Sequence, residues 1–183
     1  FCNLDEALAD ASEDLESVKT FFARQMDQFD RARQVINGLE GEKAYLEHDT
    51  VACEALTKLN EIVGDPKPYR RISEIAPLAN AAKAAHSALV VEKRGAILNQ
   101  IEDAKRSVED YAAGREGADG ALTALEERWI SLRSQANSAV TCVALDALTP
   151  RLNAERSQAF STVDAAVDRA QEQKRQRELS QQR

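Results

Sequence analysis

Between residues 4 and 39 the positions that favour burial recur with alternating spacings of four and three. One series is Leu4, Ala11, Val18, Gln25, Ala32 and Leu39. The other is Leu8, Leu15, Phe22, Phe29 and Ile36. Interleaved in this way they form the a/d seam of a heptad helix, sustained for about five repeats. The pattern predicts a helix over 3–37, roughly 50 Å long at about 1.5 Å per residue. Asn3 can cap it, with Glu6 completing a capping box. Asp5, Glu6 and Asp10 complement the positive end of the helix dipole, and Arg31 and Arg33 the negative end. Asn37-Gly38 and Gly41 break the pattern.

A second helix is predicted over 49–63, capped by Asp49 or Thr50, with Ala52, Leu56, Leu59 and Val63 inward and Gly64 at its end. Asp65-Pro66-Lys67-Pro68-Tyr69 cannot continue it, because proline lacks an N–H and fixes φ. A third helix is placed from Pro77, in its first turn, to Ala113, with the stripe Leu78, Ala82, His86, Leu89, Ile97, Ile101, Ala104, Val108 and Tyr111. Gly95 falls in its middle. After the turn marked by Gly114, Gly117 and Gly120, a fourth helix carries Leu122, Leu125, Trp129, Leu132, Ala136 and Ala139. The stretch from Asn137 to Pro150 reads as a broken connection. A fifth helix starts near Thr149-Pro150, with Leu152, Ala159, Phe160, Val163, Ala166, Val167 and Ala170 inward, and from Gln171 to Arg183 it turns wholly polar. That tail, 171–183, is expected to be an exposed helix end. Six of the seven glycines fall outside these helices.

No segment alternates with the period of a strand. The expected fold is therefore all-α: an elongated antiparallel bundle or coiled coil of about five helices, drawn as a single domain over 1–183. Phe22, Phe29, Leu56, Leu89, Leu125 and Trp129 are the expected core. Composition narrows the picture further. Aromatic residues make up only 5% of the 183, so alanine must supply much of any core. No apolar run approaches the roughly 20 residues of a membrane span. The net charge is −7, with 10 cations against 16 carboxylates in residues 1–91 and 14 against 15 beyond. That balance offers no broad face for nucleic acid. Cys2, Cys53 and Cys142 are odd in number and far apart, and neither a zinc site nor a disulfide scaffold follows from them. Free thiols fit a reducing cytoplasm. The chain opens Phe1-Cys2-Asn3 and its single methionine is Met26, so it reads as a piece of a longer protein without a signal peptide.

Catalytic chemistry is not legible. His86 has Ala82, Lys83, Leu89 and Val90 as its helical neighbours, none of them a metal ligand, and reads as a packed histidine. His48 lies between Glu47 and Asp49, but adjacent helical residues do not face one another. The Glu-x-x-His pairs of a di-iron bundle are missing. Gly114-x-x-Gly117-x-x-Gly120 lacks the Lys-Ser/Thr ending of a phosphate loop and follows a helix rather than a strand, so it reads as a turn. There is no Gly-x-Ser-x-Gly elbow. No catalytic residue, metal or cofactor is assigned, and the chain is expected not to be an enzyme.

Two features point to partners instead. Lys67, Tyr69, Arg70 and Arg71 gather three cations and an aromatic ring on a stiff loop that could meet a partner, although an ordinary capping loop explains them as well. Gln25 interrupts the seam Leu8, Leu15, Phe22, Phe29 and Ile36. It either sets register or marks where the seam reaches solvent. The short second helix cannot cover this seam alone. Either the third helix covers it and the chain is a monomer, or it stays open to a homodimer, antiparallel or side by side, or to another protein.

The order of several motifs also resembles a known family. Asp14-Leu15, Phe21-Phe22-x-x-Gln25, Phe29-Asp30 and Tyr45-Leu46 are followed by Asp65-Pro66-x-Pro68-Tyr69-x-x-Ile72 and Glu92-Lys93-Arg94. This order is similar to the helical region downstream of the ATPase core in the large P-loop ATPases of bacteriophage exclusion (BREX) systems, the BrxC/PglY family. The resemblance covers about the first half of the chain, and the proline-tyrosine loop is its most specific element. It implies a cytoplasmic parent ATPase acting with other BREX components, a methyltransferase and a phosphatase-like protein among them, in antiviral defence. The family's nucleotide-binding motif is not in this stretch. The chain would then be a non-catalytic interaction or spacer module with protein partners. The alternatives are a stand-alone coiled-coil scaffold or a nucleic-acid-associated helical domain.

Overall fold

The computed structural model describes residues 4–67 and 70–181. It is 91% helical, and the described residues contain no strand. The elements in order are α1 (Leu4–Leu39), a 3-10 turn (Glu40–Glu42), α2 (Lys43–Leu46), α3 (Thr50–Gly64), α4 (Ile72–Ala112), α5 (Ala118–Ser138), α6 (Cys142–Asp146) and α7 (Leu148–Gln181). Five of these are long, matching the five helices expected. Contacts divide the chain into two compact units, Phe1–Ala88 and Leu89–Arg183, where the sequence reading drew one domain.

In the first unit α3 packs on α1. The Asp49 carboxylate caps α3, accepting from the Ala52 N–H at 2.9 Å. The inward stripe of α3 is Ala52, Ala55, Leu59 and Ile62. This is the predicted face turned by one position at two places: Leu56 and Val63 are only half-buried. On α1 the buried residues are Phe29, Ala32, Val35 and Leu39. The N-terminal part of the seam is not core. Phe22, expected inside, is 62% exposed, and the seam residues Leu8 and Leu15 are 61% and 55% exposed. The cause is length: α3 has 15 residues against the 36 of α1, so at about 1.5 Å each it can flank less than half of it.

Helix α4 begins at Ile72, five residues before the proline that was expected to open it. Pro77 lies inside the helix and denies the Ser73 carbonyl its helical donor. Two anchors hold the extra turn. Ile75 is fully buried, and Arg71 grips Glu74 across the first turn at 3.0 Å. Buried Val90 replaces half-buried Leu89 in the stripe.

In the second unit the pairings Lys105–Glu126 and Arg133–Glu102 run α4 and α5 antiparallel. Arg128–Glu155 and Arg151–Gln135 do the same for α5 and α7. Arg156–Ser107, Tyr111–Asp164 and Lys174–Glu116 set α7 parallel to α4. The three helices thus go up, down and up around Ile97, Ile101, Val108, Leu125, Trp129, Leu132, Leu152 and Val163. The interrupted stretch before Pro150 is the short α6, capped by the Thr141 hydroxyl, which accepts from the Ala144 N–H at 3.1 Å. It carries buried Cys142 and Leu145. Residues 171–181 are helical and exposed.

Glycine was a poorer guide to helix ends than expected. Gly38, Gly64, Gly95 and Gly120 all lie within helices. Gly117 does need its lack of a side chain. Its φ is +92°, and a Cβ there would collide with the Ala170 Cβ and press on the Ala166 carbonyl oxygen at 3.2 Å. This is where the α4–α5 turn meets α7.

Candidate interaction surfaces

The expected seam divides at Gln25. Phe29 is buried and Ile36 half-buried. On the N-terminal side Leu8, Leu15, Val18, Phe21 and Phe22, and beside Gln25 Met26, are all between 50% and 62% exposed. The Phe21 and Phe22 rings stand edge to face, 6.0 Å between centroids. Gln25 is itself half-buried, with no hydrogen-bond partner for its shielded Oε1.

The basic loop is not a free cluster of cations. Lys67 and Arg70 are exposed, and the Lys67 N–H donates to Asp65 Oδ1 at 2.7 Å, tightening the turn. Tyr69 and Pro68 lie outside the described residues. Arg71 turns inward to Glu74 and to Glu61, at 3.6 Å from the latter. The hydrogen bond with Arg71 holds the Glu74 carboxyl below the usual carboxylate range, and the same bond raises the Arg71 guanidinium. A phosphate would have to compete with two carboxylates for this arginine.

His86 has a partner that the sequence reading did not name. Its Nε2 lies 3.3 Å from Glu42 Oε2, with the glutamate side chain 4% and the imidazole 15% exposed. The spacing Leu39, Glu42, Leu46 follows the inward register of the helical turn, so a carboxylate on an apolar stripe was the signal to look for. Two groups alone do not make a metal centre. Among the described residues no set of three or more His, Cys, Asp or Glu side chains could hold a metal ion. A shallow groove of about 320 Å³ between α2 and α3 is lined by Lys43, Leu46, Cys53, Leu56 and Asn60 among others. Its lining also includes Glu47, Thr57 and Glu61.

Polar groups in the second unit bind helix to helix. The Tyr111 hydroxyl donates to Asp164 Oδ1 at 2.7 Å, and Arg115 pairs with the same oxygen while lying 4.2 Å over the Tyr111 ring. Both partners, the tyrosine first, hold the Asp164 carboxyl low. The tyrosine ring meets Phe160 edge-on at 5.0 Å. This cluster explains why Tyr111, expected inward, is 38% exposed: it lies along the α4–α7 border with its hydroxyl at the rim. The hydrogen bond to Glu126 raises Lys105 above the usual lysine range. Lys93 and Arg94 are engaged as well. Lys93 meets Asp146 at 2.7 Å, and Arg94 donates to the Ala139 carbonyl at 2.7 Å, satisfying the end of α5.

No family model matches this sequence, and no solved structure matches the chain. Among the described residues no helix is long and apolar enough to cross a membrane.

Proposed function

We propose that the chain is a non-catalytic helical module that joins protein to protein through the N-terminal half of α1. The observation that carries this reading is the six large apolar side chains left open on and beside that part of the seam, while Phe29, Ala32 and Leu39 further along it are buried. Exposed apolar rows of this extent mark interaction surfaces more often than free surface. Of the loop cations Arg71 is drawn into ion pairs with Glu61 and Glu74, and the net charge of −7 opposes a phosphate backbone. What supports a wider setting is the resemblance of the first half to the helical region of BREX-type ATPases. On that reading the module serves a cytoplasmic assembly with other BREX components and needs no cofactor of its own.

The test is made in the full-length parent, carrying Leu15→Glu, Phe22→Glu and Met26→Glu together. Its assembly with partner proteins should fall apart, while its nucleotide hydrolysis stays as it was. An assembly of unchanged size would reject the interaction reading.

A further inference from the structure

The open half of α1 also carries the marks of its occupant. Leu8, Leu15, Val18, Phe21, Phe22 and Met26 each leave roughly 100 Å² uncovered, on the order of 600 Å² per chain and 1,200 Å² for two, above the roughly 1,000 Å² a specific interface needs. We infer that the occupant is a second copy of this chain, its α1 antiparallel and in the register that sets Leu15 opposite Val18 of the other copy. The inference rests on the reading of the chain as an interaction module and gives that module its partner.

Two features fix orientation and register. The first is size. In this register Ala11 faces Phe22 of the other copy, Leu15 faces Val18 and Leu8 faces Gln25, so that each large side chain meets a smaller one. A parallel pair would stack Phe22 on Phe22 and Ala11 on Ala11, a bulge next to a void. The second is charge. The stretch from Asp5 to Glu16 holds six carboxylates and no cation, whereas Lys19 and Arg24 follow it. Antiparallel pairing in this register aligns residues 5–16 of one copy with 17–28 of the other, which keeps the two acidic stretches apart and opposes the two helix dipoles. Parallel pairing sets twelve carboxylates side by side, against two symmetry-related pairs between Asp14 and Lys19.

The 183-residue chain is examined by sedimentation equilibrium over a range of concentrations. Its mass should rise from 20.2 kDa toward twice that value. Phe22→Glu should weaken the association on the order of 30-fold or more, as for a central anchoring side chain, with helicity by circular dichroism unchanged. Orientation is read from disulfide formation after Cys2, Cys53 and Cys142 are replaced by Ala. Leu15→Cys mixed with Val18→Cys should cross-link faster than either variant alone. Faster self-linkage of Leu15→Cys would overturn the antiparallel register. A mass fixed at 20.2 kDa at every concentration would overturn the second copy as partner. The interaction reading would survive that result if the charged triple variant still broke the parent's assembly, so the two failures can be told apart.

Discussion

Phe22 and Phe29 occupy the same heptad position one repeat apart, yet one is 62% exposed and the other 9%. Truncating each to Ala therefore tests the division of the seam directly. At Phe29 the change removes a buried ring and leaves a cavity under the start of the covered stretch. Such losses run about 3–5 kcal/mol, and the position at the margin of the core places this one near about 3 kcal/mol. For a chain of this length that corresponds to a fall in melting temperature of about 6–12 °C. At Phe22 the ring is already mostly in water, and Ala is the better helix former by a few tenths of a kcal/mol. The change there should stay within about 0.5 kcal/mol. The assay is urea unfolding followed by far-UV circular dichroism, at concentrations low enough to keep copies apart. Equal losses at the two sites, or a larger one at Phe22, would refute the placement of the covered and open halves.

Glycine substitutions should move in opposite directions: Gly95→Ala should stabilise by about 0.5–1 kcal/mol, since a Cβ there meets nothing within 4 Å, whereas Gly117→Ala should destabilise, both for its positive φ and for its collision with Ala170. Paired melting curves decide both. Stability should decline in acid, because Glu74 and Asp164 titrate below their ordinary values; their contribution is complete above about pH 4 and is lost as pH falls through the depressed values. Asp164→Asn should flatten that acid limb. The raised Lys105 acts at the other end, contributing fully below about pH 10.4 and losing its share as pH climbs past the raised value; alkaline melts of Lys105→Met read it out. Under native conditions a maleimide should modify exposed Cys53 quickly and buried Cys142 slowly, and equal rates by mass spectrometry would contradict the packing of α6.

Periodicity carried most of the fold. The α5 stripe shows why: Leu125, Trp129, Leu132 and Ala136 keep strict spacing and all are buried. The α1 seam keeps equally strict spacing, and half of it is open. A heptad pattern states that a face wants covering, not that the same chain covers it. The start of α4 was missed for a related reason. Pro77 was read by its own preference for a first turn, while Ile75 and Arg71, which hold the earlier turn, act through tertiary contacts that local preference does not register. The pairing of Glu42 with His86 joins residues 44 apart in sequence, and only the folded chain brings them together. Of the loop residues singled out, Arg71 shows the limit of reading charge along a line: its neighbours in sequence are basic, but its neighbours in space are Glu61 and Glu74.

The division between the two compact units falls between Ala88 and Leu89, inside the unbroken helix Ile72–Ala112. Independent domains are usually separated by an exposed linker that tolerates cleavage and insertion. Here the backbone at the dividing point is helical instead. A protease finds no extended strand of backbone at that point, and a cut would leave a frayed helix end on each side.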